Sequence, residues 1–134
     1  MDLQLHGKVA MVAAASRGIG RACALGLARE AARYYPHVEI IEKHHHTKVD
    51  APSGTALRLA AVLREAGAGE VPVHSVRLPG LVAHHELVFG GTGEVVTLKH
   101  DTLSRASFGP GVVLAVRRVG ELNRVVYDLA ELLS

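Results

Sequence analysis

The sequence predicts an α/β fold of the α+β kind: one mixed β-sheet of about five strands, opened by a βαβ unit, with helices packed on one face. Three observations predict it. The first is an apolar run of strand length at residues 8–14, followed by helically spaced apolar residues and a second apolar run at 38–42. The second is a pair of strand-like runs, 83–89 and 94–100, joined by Gly90-Gly91-Thr92-Gly93. The third is size: 134 residues, 49% hydrophobic and 21% charged, suit one domain with a real core and are too few for two.

The elements follow in order. Ile19, Cys23, Leu27 and Ala31 recur at helical spacing, so a helix is expected over about 18–35, ended by Pro36. Cys23 reads as a packing residue of that helix. Strand, helix and strand within so short a span predict two parallel strands with a right-handed crossover. Ala56, Leu59, Ala60, Leu63 and Ala66 mark one face of a second helix, 53–66, which Gly67 and Gly69 end. A strand at 73–78 closes on Pro79-Gly80. After the 83–100 hairpin, 103–111 reads as a loop and 111–119 as a helix of small and β-branched residues. A last apolar segment, 127–133, reads as helix or strand. Leu87, Phe89, Val96 and Leu98 form an apolar stripe, expected on the sheet face that the helices leave open, and an oligomer is expected to cover it.

Composition excludes several functions. The formal charge is only +2, basic residues are scattered, and aromatic residues make up 4% with no Trp, so a nucleic-acid stacking platform is not expected. The N-terminal apolar run is too short for a membrane span and begins with an acid, so no membrane partner or signal peptide is expected. A single cysteine excludes an internal disulfide and fits a reducing compartment, the cytoplasm.

The chemistry concentrates in residues 39–60. A short strand runs into three histidines, Lys48 and Asp50, then into Pro52-Ser53-Gly54-Thr55, a loop that opens a helix. Ser53 can cap that helix, and Gly54 lets backbone N–H groups approach a ligand. Titratable groups beside a helix N-terminus suit an anionic small molecule. His44, His45 and His46 also invite a metal reading, with His84 and His85 nearby in the hairpin. Consecutive strand residues point to opposite faces and no carboxylate or thiol completes a known zinc spacing, so no metal site is expected.

Glu39-Ile40, Glu42, His44, Lys48, Asp50 and Pro52-Ser53-Gly54-Thr55-Ala56 together resemble the signature of dihydrodipicolinate reductase, an enzyme of lysine and diaminopimelate biosynthesis. The similarity continues through Arg77-Leu78-Pro79-Gly80, His84-His85-Glu86, Phe89, His100-Asp101, Ser104-Arg105, Phe108-Gly109 and Tyr127-Asp128-Leu129. It covers about residues 31–134 and is to the family's C-terminal domain, which binds substrate and builds a homotetramer through its sheet. The resemblance implies that His44 and Lys48 are catalytic and that His45, Ser53, Gly54 and Thr55 hold a dicarboxylate substrate. Arg105 and Phe108 would shape the edge of the site. It implies NADH or NADPH as the parent family's cofactor.

Residues 1–30 resemble instead the first strand and helix of a short-chain dehydrogenase/reductase, through Ala13-Ala14, Ala15-Ser16-Arg17 and Gly18-Ile19-Gly20. Gly18 and Gly20 are the candidate cofactor contacts. Ala14 replaces the first glycine of that pattern, and neither a ribose-binding acid nor a Tyr-x-x-x-Lys pair follows. The segment is therefore expected to supply a strand and a packing helix. The chain reads as a chimera, with the parent's nucleotide-binding domain lacking a counterpart in these residues.

Three functions follow as expectations. The first is a substrate-binding and self-associating domain, a homotetramer or homodimer, with little or no reductase activity alone. The second is a minimal reductase whose N-terminal βα unit binds the dinucleotide. The third is a structural, self-associating domain with no ligand site.

Overall fold

The computed structural model of the protein describes residues 10–11 and 19–122. In order the chain forms β1 (Ala10–Met11), α1 (Ile19–Ala32), β2 (His37–His44), α2 (Gly54–Glu65), β3 (Val73–Arg77), β4 (Ala83–Gly91), β5 (Glu94–Thr102), a 3-10 turn (Arg105–Phe108) and α3 (Gly109–Val119). The sheet has five strands in the order β1-β5-β4-β2-β3. β2 pairs parallel with β3 and antiparallel with β4; β4 pairs antiparallel with β5, and β5 parallel with β1. The sheet is thus mixed, as expected. β1 and β2 run in the same direction, with β5 and β4 between them. Two adjacent pairs are parallel, β1 with β5 and β2 with β3, and the second is joined through α2.

Local signals explain most element ends. Ser53 caps α2 by accepting the Ala56 N–H at 3.2 Å. At the other end, Gly67 takes a φ of 112°, which an L side chain resists. There the Ala68 N–H bonds the Leu63 carbonyl and the Gly67 N–H that of Arg64, so two end carbonyls are satisfied. The hairpin between β4 and β5 turns on Thr92 and Gly93, with Gly93 at φ 78°. α1 stops at Ala32, short of the expected Tyr35, as the Tyr34 and Tyr35 N–H groups fold back onto the Ala31 carbonyl. The expected loop at 103–111 is partly helical. Ser104 accepts the Ala106 N–H to start the 3-10 turn, and α3 begins at Gly109 with Pro110 in its first turn. Of the strand expected at 8–14, Ala10–Met11 is described; the 127–133 segment lies outside the described residues.

Register lays out the helix-facing side of the sheet in rows. Val38, Phe89 and Val96 make the first; Val73, Ile40, Leu87 and Leu98 the second. They pack against Ala28, Ala31, Ala32 and Tyr35 from the α1 segment and Ala56, Ala60 and Leu63 from α2. The small helix residues let both helices sit close to the sheet. This corrects one expectation. Leu87, Phe89, Val96 and Leu98 lie beneath the helices, not on the open face, because Leu87 stands opposite Ile40 and Phe89 opposite Val38. The open face carries half-buried Ile41, Val88 and Thr97 among Lys43, Glu86 and Lys99.

Candidate functional site

Beyond the two apolar rows the same sheet face turns polar. The third row is Ser75, Glu42, His85 and His100; the fourth is Arg77, His44, Ala83 and Thr102. The change falls at the C-terminal end of β2, where the 45–53 loop brings the start of α2 over the sheet.

Glu42 is fully buried, with a relative exposure of 0%. Arg77 grips it with both guanidinium arms, Nη1 to Oε2 and Nη2 to Oε1, each at 2.8 Å. Ser75 Oγ donates to Oε1 at 2.7 Å and the Ser53 N–H to the same oxygen at 3.1 Å. His44 Nδ1 lies 2.5 Å from Oε2. Burial alone would raise this carboxyl, but Arg77, Ser75, His44 and the Ser53 N–H hold it at about 2. Glu42 is therefore a carboxylate at any neutral pH.

His44 is itself buried, and burial lowers its pKa despite Glu42. The charges of Arg77 and Lys48 push it the same way. His85 stands edge-on to it, ring centroids 5.4 Å apart and planes at 80°. Burial first, and then His44, lower His85 to about 4, so it is neutral at pH 7. Ser53 Oγ, already accepting from Ala56, lies 3.4 Å from His85 Nε2 and can donate its proton there.

The loop after β2 carries Lys48, whose Nζ lies 2.6 Å from Asp50 Oδ1. The Asp50 carbonyl accepts from Arg77 Nη2 at 2.7 Å. Lys48 lowers the Asp50 carboxyl, with smaller help from its own and the Gly54 N–H. His45 is half-buried and its Nδ1 meets Thr47 Oγ1 at 2.7 Å. Gly54 and Thr55 are exposed in the first turn of α2. Arg105 and Phe108 bound the 3-10 turn beyond β5.

Of the residues expected from sequence, His44, Ser53 and the Lys48–Asp50 loop meet through Glu42 and Arg77. The Ser53 side chain is committed to its cap and to His85. Gly20 lies in the first turn of α1, and Gly18 outside the described residues. β1 borders β5 and not β2, so the two strands expected to form the opening parallel pair are not neighbours in the sheet. Among the described residues no group of three or more His, Cys, Asp or Glu could hold a metal ion. His84 bonds Asp101 at 2.7 Å on the opposite sheet face from His85.

Sequence reasoning missed Glu42, Ser75, Arg77 and His85 as parts of one network. One signal was available: Glu42 shares the strand parity of Val38 and Ile40, so a charge falls at a core-facing position.

A mixed sheet with a donor-rich cluster where a strand end meets a helix start defines an α/β domain with a polar cluster at one end of its helix-covered face. Comparison gives the family. The description "Dihydrodipicolinate reductase, C-terminus" matches residues 20–133, and the chain belongs to that family. The match begins eleven residues before the expected boundary at 31, so most of α1 is part of the family's domain. A 4-hydroxy-tetrahydrodipicolinate reductase from Symbiobacterium thermophilum is 52% identical over 121 residues, covering 87% of this chain and 48% of the relative. One from Moorella thermoacetica is 44% identical over 147 aligned residues, covering 95% and 55%. A solved structure of dipicolinate-bound dihydrodipicolinate reductase from Paenisporosarcina sp. TG-14 superposes with a TM-score of 0.68 at 40% identity, covering 81% of this chain and 49% of that one. The chain thus spans about half the length of these relatives. Among the described residues no helix is long and apolar enough to cross a membrane.

Proposed function

We propose that the chain is a dicarboxylate-binding and self-associating domain derived from dihydrodipicolinate reductase, the NAD(P)H-dependent reductase of lysine and diaminopimelate biosynthesis. On this reading it acts in the cytoplasm and has little or no reductase activity alone. The likeness of residues 1–30 to the opening of a short-chain dehydrogenase is what supports reading the chain as a chimera; residues 20–30 of that segment fall within the family match.

The observation that carries the reading is the dipicolinate-bound Paenisporosarcina structure, a 40% identical relative of the same fold. The geometry agrees with it. His44, Lys48 and the Gly54–Thr55 turn come from a strand end, a loop and a helix start that Glu42 and Arg77 tie together. Among the described residues, Arg77 Nε and Thr102 Oγ1, at the two ends of the fourth row, are buried without a hydrogen-bond partner. His44 and Lys48 are the catalytic pair: Lys48 leaves Asp50 to polarise or protonate the reacting imine, and His44 orients the ligand as a donor once protonated. His45, Gly54 and Thr55 hold the carboxylates; Ser53 supports them by capping the helix. The hydride must come from a nicotinamide that these residues do not hold.

Calorimetric titration of the whole chain with pyridine-2,6-dicarboxylate tests the reading. Saturable binding of one molecule per chain is expected. His44→Ala with Lys48→Ala should weaken it by at least about tenfold, since both supply charge-assisted hydrogen bonds. No binding, or binding that ignores the double substitution, would sink the proposal. A saturable NADH or NADPH isotherm weakened by Gly18→Val would instead favour the minimal reductase.

A further inference from the structure

Glu42 does no chemistry in the reading above, yet each element of the site closes on it. His44 leaves the same strand two residues later. Ser75 and Arg77 come from β3, and the Ser53 N–H from the start of α2. Through Arg77 Nη2 the network also reaches the Asp50 carbonyl, and with it the loop that carries Lys48.

We propose that Glu42 is a positioning residue: it fixes His44 as the Nδ1–H tautomer, with Nε2 bare and turned away from Glu42 toward the ligand. What the site binds rests on the reading above; the tautomer does not.

The argument is one of proton counting. Glu42 receives four donors besides His44, two of them from a guanidinium, and has no proton to give. The hydrogen between it and His44 must then sit on Nδ1. A neutral imidazole has only one N–H, so Nε2 carries the lone pair. The groups facing His44 are Glu42 on its own strand, Arg77 on β3, His85 on β4 and Lys48 in the loop. Arg77 balances Glu42, and the neutral His85 adds no charge. Protonating His44 therefore adds one net positive charge beside Lys48, which a dicarboxylate favours. The Nδ1–H to Glu42 bond is the same in both protonation states, so the ring takes up a proton without turning. A carboxylate serving only to bind Arg77 would leave the ring free to choose its tautomer.

Long-range proton–nitrogen NMR of the histidine rings reads this directly. In the unmodified chain without ligand at pH 8, His44 should show a protonated Nδ1 and a bare Nε2. The opposite tautomer, or an even mixture, overturns the proposal without any substitution. Glu42→Gln keeps the size and loses the charge. It should release the tautomer to a mixture, lower the His44 titration midpoint, and weaken pyridine-2,6-dicarboxylate binding on the order of tenfold, as loss of a partner behind a liganding histidine does. Glu42→Asp should restore part of the tautomer preference. A folded Glu42→Gln protein with the His44 tautomer and midpoint unchanged also overturns it. If Glu42→Gln does not fold, the unmodified chain's tautomer decides. Failure to bind the dicarboxylate, with the tautomer as expected, removes the functional reading and leaves the role of Glu42 intact.

Discussion

His85 sets the upper acid limit of this fold. It is buried and neutral, with a pKa near 4 against 6.5 in the unfolded chain. As pH falls from 6.5 to 4 the unfolded state takes a proton that the folded state refuses, so stability is lost across that window, by up to about 3 kcal/mol. Glu42 acts lower. Its folded pKa is about 2 against 4.5, so its contribution is full above 4.5 and disappears as pH falls through 2. Melting curves at pH 7, 5.5 and 4 should show a steady drop, and His85→Gln should flatten it. An unchanged pH slope in that variant would remove His85 as the cause. Ligand affinity should run in the opposite sense. Because burial lowers the His44 pKa, a dicarboxylate that needs the protonated ring binds more tightly at pH 6 than at pH 8, with proton uptake visible as a buffer-dependent heat. Equal affinity and no proton uptake would argue that His44 stays neutral on binding.

Elements whose ends are fixed locally were legible in the sequence. α2 ends where Ser53 and Gly67 place its ends, and the β4–β5 turn falls on its glycine-rich stretch. Ser53→Ala should therefore cost about 1 kcal/mol through the lost cap, read as a shift in denaturation midpoint. A variant as stable as the parent would mean that the Ala56 N–H finds another partner. Elements fixed by distant partners were not legible. β2 extends to His44 because β3 and β4 pair it on both sides at that end, and its neighbours in sequence carry no trace of this. The side of the apolar stripe was misassigned for the same reason. Ile41 and Val88 make the other parity of β2 and β4 apolar as well, so alternation alone does not choose a face. The proposed roles of His44 and Lys48 were legible only through family likeness. The groups that complete the network around Glu42 and His44 come from residues 75, 77 and 85, more than thirty positions away.

For the whole molecule, the open sheet face decides how the chain lives in solution. Ile41, Val88 and Thr97 are half-covered and Val95 is 59% exposed, with Lys43 and Glu86 paired across the surface at 3.6 Å. A face of this mixed character suits a second copy of the chain, as the functional reading requires. Light scattering at micromolar concentration should give a dimer or tetramer, and Lys43→Glu, which sets like charges against Glu86, should shift it toward monomer. A clean monomer for the parent chain would end that part of the proposal. The rows of the sheet carry a further consequence. The apolar rows and the polar rows are written on the same strands in the same alternation, so one hydrogen-bond ladder aligns both. If β4 slipped by a single residue against β2, Leu87 and Phe89 would leave the core in the same step that took His85 from Glu42. A misaligned chain cannot keep its binding groups in place and merely be unstable; it loses both together. The hydrophobic half of the sheet thus works as a proofreader for the polar half, and moving this site to another scaffold would require transplanting the ladder, not the side chains.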